Sequence, residues 1–298
     1  SDAPFAVAYA EYGELVRSKD VFEMLTLPHE GRESDALFAL LREGERMRRF
    51  GFTQTELDRA KIDMLSLYEK SYNERSKTKN DSYVREYIGN YLDFEPVPGI
   101  EWEYQAVREI LPLMTLDEVN IIAKKYIGEK NMTVLISGPE KEGVSLPAEK
   151  EVLAIIDSVR NIVLDPYVDK ALDKPLVPKV PKKGKVKSEK KNAKLGTTEW
   201  TLSNGMRVIL KPTKLKEDEI LLYAYSEGGL SAVPAVDDLP SARLSTSVVE
   251  NNGLGEFSLV DLGKMLAGKI VSLSPSVGGY DESLSGNSSV KDFETLMQ

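Results

Sequence analysis

Apolar residues change their spacing several times along the chain, and each change marks an element. The opening stretch Phe5-Ala6-Val7-Ala8-Tyr9-Ala10-Glu11-Tyr12 is rich in aromatic and small apolar residues and predicts a strand. Val21 to Leu27 predicts a second, shorter one. The spacing then becomes helical. Leu37, Leu40, Leu41, Gly44 and Met47 fall on one face, with Gly51 as the stop. Thr53-Gln54-Thr55-Glu56 has the capping-box pattern, in which hydroxyl and carboxylate satisfy orphan amides reciprocally. It opens a long helix lined by Leu57, Ala60, Met64, Leu67, Tyr68 and Ser71. Helices over 79–93 and 101–111 follow, separated by Pro96-Val97-Pro98-Gly99. Thr115-Leu116-Asp117-Glu118 is a second capping box, for a helix to about Tyr126. Asn131 to Ser137 is β-branched and predicts a strand ending at Gly138-Pro139, and a helix over 148–161 comes next.

From Val163 to Lys194 the periodicity is lost, and prolines and a run of lysines take over. This predicts an extended linker with too little apolar surface to fold alone. Periodicity returns near Thr198. Glu199-Trp200-Thr201-Leu202 and Met206-Arg207-Val208-Ile209-Leu210 flank Ser203-Asn204-Gly205, a hairpin signal because Asn and Gly tolerate positive φ. A strand over Glu219 to Ser226 ends at Gly228-Gly229, and Leu239 to Val249 reads as a helix. Ser258-Leu259-Val260-Asp261 caps a helix carrying Leu262, Met265 and Leu266. Strands over 269–277 and 280–287 follow, and Ser289 to Asp292 begins a last helix through Phe293, Leu296 and Met297. The chain stops one or two turns into that helix, so the natural protein is expected to be longer.

Composition narrows the chemistry. There is no Cys, which removes disulfides, thiolate catalysis and Cys-based metal sites. The single His, His29, excludes any motif that needs two histidines, including H-E-x-x-H and H-x-x-E-H. No plain apolar run exceeds six residues, the length of Ile220 to Tyr225, against roughly 18 for a membrane span. Net charge is −9, unevenly spread: residues 179–194 carry eight Lys and one Glu, a local +7 that leaves −16 on the rest. An acidic body does not attract nucleic acid or anionic membranes. The lysine run contains no Arg and no aromatic to stack a base, so it reads as solvated linker, with DNA binding as the competing reading.

Individual candidates are weak. His29 sits in Leu27-Pro28-His29-Glu30-Gly31, a turn with no nucleophile setting nearby in sequence. Glu43 and Glu45, Asp237 and Asp238, and Asp281 and Glu282 are carboxylate pairs suited to glycosidase-like or hard-cation chemistry, but they read better as solvated surface. Gly253-Leu254-Gly255 and Gly278-Gly279 lack the phosphate-cradle patterns and read as turns. Tyr68, Tyr72, Tyr83, Tyr87, Tyr91, Trp102 and Tyr104 recur at helical spacings and are expected in the core. No residue is assigned as catalytic, metal-binding or cofactor-binding.

The run Thr201-Leu202-Ser203-Asn204-Gly205-Met206-Arg207-Val208-Ile209-Leu210 resembles the opening strand pair of domains in the pitrilysin/insulinase family of zinc metallopeptidases. The order after it fits: a strand to Gly228-Gly229, two helices, paired strands, a helix. Phe52 to Lys61, Leu116-Asp117-Glu118-Val119 and Thr133 to Gly138 are similar to phrases late in a family domain. The resemblance implies an α+β fold, mitochondrial-processing-peptidase-like, with two partial domains of antiparallel sheet plus helices. Residues 1–162 are the rear of one domain, 163–197 the Pro/Lys-rich linker, and 198–298 the front of the next. The family's inverted zinc motif sits on the first helix after the opening strands. Here that helix, about Asp238 to Glu250, contains Ser241, Ala242, Arg243, Leu244, Ser245, Thr246 and Ser247 and no His. A catalytic zinc needs three protein ligands, so none transfers. The implied role is a non-catalytic central segment of a larger zinc metallopeptidase: scaffold and wall of a chamber for peptide substrates. Zinc and the catalytic half would lie elsewhere in the parent. A zinc-less relative acting as an assembly subunit is the alternative. No nucleic-acid partner and no membrane span are expected, and bacterial relatives imply an extracytoplasmic location.

Overall fold

The computed structural model describes residues 3–128, 130–139, 145–170 and 174–298. It is α+β, and its contacts divide it into two compact units: Ser1–Asp58 with Ile110–Lys170, and Arg59–Glu109 with Ala171–Gln298.

In the first unit β1 (Phe5–Val16) and β2 (Lys19–Pro28) form an antiparallel hairpin, longer than the two short predicted strands. Helix α1 (Glu33–Phe50) packs on β2. Its Gly44 lies so close to Met24 that an added Cβ would stand 2.9 Å from the thioether. Gly51, at φ 72°, ends the helix as the sequence predicts. Helix α2 (Gln54–Asn73) then starts in the predicted capping box: Glu56 Oε2 accepts the Thr53 amide, and Thr53 Oγ1 accepts the Glu56 amide. Its first turn belongs to this unit and its remainder to the second.

Helices α3 (Asn80–Asp93) and α4 (Ile100–Ile110) belong to the second unit. Helix α5 (Leu116–Tyr126), with its capping box at Thr115, and α6 (Glu149–Asn161) complete the first, where α1 packs on both. Asn120 of α5 holds the α1–α2 connection, its Oδ1 accepting the Phe52 amide at 2.7 Å. Residues 132–139 form no strand, contrary to the β-branched pattern, and Leu135 is 88% exposed. Propensity favours an extended backbone, but a strand also needs a ladder partner. The described first unit offers only the β1–β2 pair, and this segment joins neither strand.

The second unit corrects the linker expectation. Val186–Asn192, inside the lysine run, is a strand, β3. It pairs antiparallel with β4 (Thr197–Leu202), which pairs with β5 (Arg207–Leu210). The sequence pattern hides β3 because all its positions are exposed; backbone pairing with β4 holds it, helped by Trp200 Nε1 donating to Glu189 Oε2 at 3.0 Å. The β4–β5 turn has Gly205 at φ 88°, with the Gly205 amide bonded to Leu202 O and the Met206 amide to Asn204 Oδ1. Asn204 keeps a negative φ, so only one turn position uses the left-handed region.

A second sheet has the order β6–β8–β7: β6 (Ile220–Glu227), β8 (Asp281–Ser288) and β7 (Val271–Val277), all antiparallel. Helices α7 (Leu239–Asn252) and α9 (Phe293–Met297) pack against it, and α8 (Leu259–Met265) precedes β7 with its predicted Ser258–Asp261 capping box. Gly286, in the central strand, admits Leu273 and Leu296 against its backbone. Helix α2 is tied to the loops of this unit. Ser66 Oγ donates to Gly268 O, and the Gly268 amide donates to Asp63 Oδ1. Glu74 Oε1 accepts the Glu217 and Asp218 amides.

The core is thin. Among the described residues the buried apolar side chains are Ala36, Leu37, Leu57, Leu111, Ala123, Ile156, Val159, Phe257 and Leu296.

Candidate functional site

His29 lies exposed just after β2, its amide donating to Pro4 O and its carbonyl accepting from Arg32. Among the described residues no side-chain hydroxyl or carboxylate is hydrogen-bonded to its ring.

The carboxylate pairs have diverse surroundings. Glu43 is bonded to Arg42 and Arg46; burial, the largest single influence, pushes its carboxyl up, but the two guanidiniums together outweigh this and hold it below the ordinary range. Glu45 departs from the surface expectation: it is 7% exposed. Its oxygens accept from Arg48 and Arg49, which hold its carboxyl low, Arg48 most. Arg49 also donates to the Ile162 and Arg160 carbonyls, so Glu45 fixes a cation that holds the end of α6. Glu282 accepts the Gly229 amide and the Ser226 hydroxyl, both at 2.7 Å, and these donors lower its carboxyl, the amide first. Gly229 has φ 59°, and a Cβ there would stand 2.6 Å from Gly278 O. Each of these carboxylates is engaged in holding backbone or neighbouring cations.

A buried polar corner, in part unforeseen, lies at the start of α9. Ser288, Ser289 and Asp292 are each 1% exposed. Asp292 Oδ2 accepts the Ile270 amide at 3.0 Å and the Ser289 hydroxyl at 2.7 Å, and Lys269 Nζ lies 3.2 Å from Oδ1. Burial alone would raise this carboxyl, but the donors, the Ile270 amide foremost, hold it below the ordinary range. The Ser-x-x-Asp pattern at 289–292 was the legible signal; its burial was not.

No three His, Cys, Asp or Glu side chains among the described residues group to hold a metal ion. Helix α7 presents Ser, Thr, Arg and Leu and has no buried residue. These residues do not fit a zinc site.

What the second unit does present is surface. On α3, Val84, Tyr87, Ile88, Tyr91 and Leu92 line a shallow depression of about 460 Å³. Tyr87, Tyr91 and Trp102 are 62%, 81% and 62% exposed. These aromatics were expected in the core; α3 has no buried residue, so its apolar stripe meets solvent. Tyr72 and Tyr104 do stack, with ring centres 5.0 Å apart. On the β6–β8–β7 sheet, the face opposite Leu222, Gly286 and Leu273 carries Leu221, Tyr223 and Tyr225 on β6. Across from them stand Asn287, Ser285 and Ser283 on β8, then Ser272, Ser274 and Ser276 on β7. The alternating serines of Val271–Val277 were visible in sequence; the tyrosine column was hidden inside an all-apolar run.

No protein-family model matches the chain. Curated relatives do. The chain is 29% identical over 202 residues to a protein named zinc protease PQQL-like from Arabidopsis thaliana, covering 67% of this chain and 21% of that protein. It is 25% identical over 255 residues to a probable zinc protease PqqL of Escherichia coli, covering 84% of this chain and 27% of that protein. The chain therefore spans about a quarter of the length of these relatives. Its fold is shared with the ferredoxin protease FusC, solved as a mutant in complex with Arabidopsis ferredoxin: TM-score 0.55, 19% identity, 99% of this chain and 33% of that one. The resemblance to pitrilysin/insulinase-like zinc metallopeptidases thus stands for a segment of such a protein, with the expected α+β fold.

Proposed function

We propose that this chain serves as a non-catalytic segment of a larger zinc metallopeptidase, forming scaffold and part of the wall of its peptide chamber. The observation that carries the reading is the pairing of two facts. The relatives are named zinc proteases, and the chain matches only about a quarter of each. Its sequence has one His and no Cys, and among the described residues no three His, Asp or Glu side chains group as the ligands a catalytic zinc needs. The exposed apolar surface of α3 and of the β6–β8–β7 sheet suits a wall that other parts of a parent protein cover or that substrate touches. In this reading residues 1–162 and 198–298 are parts of two successive peptidase-like domains, joined by 163–197, of which 186–192 adds strand β3 to the second. The chamber takes basic or neutral peptides in preference to acidic ones, because the chain outside the lysine run is acidic. In this reading the parent works outside the cytoplasm, and the likeness to the bacterial PqqL proteins supports that.

Zinc content and hydrolysis of an unfolded reporter peptide, measured on this chain and on the longer natural protein, test the reading. Zinc and hydrolysis in the longer protein alone are the expected result. Absence of both from the longer protein would favour an assembly subunit, the second reading, and hydrolysis by this chain alone would overturn both.

A further inference from the structure

We infer that the free edge of β6, with the tyrosine face beside it, is a docking strip for an extended peptide carrying a Lys or Arg side chain. The inference deepens the chamber-wall reading and rests on it for the occupant being a peptide. Among the described residues β6 is an edge strand, paired only with β8. Natural edges are blunted by charge, proline or bulges. The opposite edge of the same sheet is blunted in this way, by Pro275 within β7. Strand β6 runs Ile-Leu-Leu-Tyr-Ala-Tyr-Ser-Glu in unbroken register, with neither proline nor a charge before Glu227. Its outward amides and carbonyls are a template for one more strand, and an extended backbone is what such an edge accepts.

The side chains beside that edge say which peptide. Tyr223 and Tyr225 are 62% and 69% exposed, with rings 5.9 Å apart. Ser283 and Ser285 stand across from them. Rigid aromatic rings set among small hydroxyls give contact area at low entropic cost, the composition of adaptable binding surfaces. Past the tyrosines, Glu227 stands directly opposite Asp281 in the ladder. Like charges in that position destabilise a sheet. Neither carboxylate has a Lys or Arg in ion-pair reach among the described residues. A cationic side chain two positions along from the ring of Tyr225 would meet both the carboxylates and, through its stem, the ring face. Charge complementarity therefore selects a basic peptide over a neutral one or a second copy of β6, which would bring Glu227 of its own.

The test uses this chain and two fluorescein-labelled 12-residue peptides of Thr and Val, one with two Lys and one with two Glu, read by anisotropy. The Lys peptide is expected to bind about tenfold more tightly at low salt, as charge-selected contacts do. The Glu227→Gln, Asp281→Asn double variant should bring the two peptides to within about threefold, without lowering the melting temperature, because it relieves repulsion. A Lys peptide N-methylated at alternate amides should lose binding, since it cannot pair with an edge. Equal binding of both peptides, no binding of either by chain of normal melting temperature, or an unchanged preference in the double variant would overturn the inference. So would dimers in sedimentation velocity that the Lys peptide does not dissociate, which would assign the edge to a second copy. None of these readouts involves hydrolysis, so failure here leaves the peptidase-segment reading standing, and the reverse holds too.

Discussion

Asp292 and Ser288 are near neighbours in the chain with the same 1% exposure and opposite expected effects. Asp292 accepts from the Ile270 amide and the Ser289 hydroxyl. Truncating it strands both donors away from water, so Asp292→Ala should cost about 2–3 kcal/mol in chemical denaturation. Ser288 Oγ has no hydrogen-bond partner. Ser288→Ala removes an unsatisfied hydroxyl and should be neutral or stabilising by up to about 1 kcal/mol in the same experiment. The carboxyl of Asp292 is held low in the folded chain, so it binds its proton later than in the unfolded chain. Its stabilisation is therefore complete above the unfolded carboxylate value, about pH 4, and fades as the pH falls further. Glu45 and Glu282 shift in the same direction and add to that acid sensitivity. A stability-pH profile whose acid limb below about pH 4 is unchanged in Asp292→Asn would contradict this assignment. Little of this was legible beforehand, because a Ser-x-x-Asp pattern announces a helix start and says nothing about burial.

Elements were legible where the signal is local. The boxes at Thr53, Thr115 and Ser258 each form, because a hydroxyl and a carboxylate three residues apart need only their own turn. Ser258→Ala should destabilise by about 1 kcal/mol, measured by thermal melting, since α8 is short and depends on its cap. Elements were misread where the outcome depends on a neighbour. The segment after Asn131 has strand propensity but no ladder partner, and β3 has lysines but gains one in β4. The tyrosines of α3 have helical spacing but no packed opposite surface. Because Tyr91 is 81% exposed, Tyr91→Ser should move stability by no more than about 0.5 kcal/mol, well below the cost of emptying a core. A loss of several kcal/mol would show that α3 is packed in solution.

At the scale of the whole molecule, the order of strands and helices carried the fold class, and the family order of Thr201 to Leu210 carried the relationship to zinc peptidases. What the sequence could not convey is how little of the apolar content is enclosed, since periodicity marks a face and not what covers it. That uncovered surface predicts behaviour: the chain should bind a polarity-sensitive dye such as ANS in its native state, and the absence of any fluorescence rise would show these faces to be covered in solution. The two edges of the β6–β8–β7 sheet have a further consequence. With Pro275 on one margin and nothing comparable on the other, strand addition is one-sided. If two copies ever joined along their bare margins, the product would be a continuous six-stranded layer with a proline strand at each outer border. Growth of this sheet would then terminate at two, since neither outer border would offer an unblunted strand.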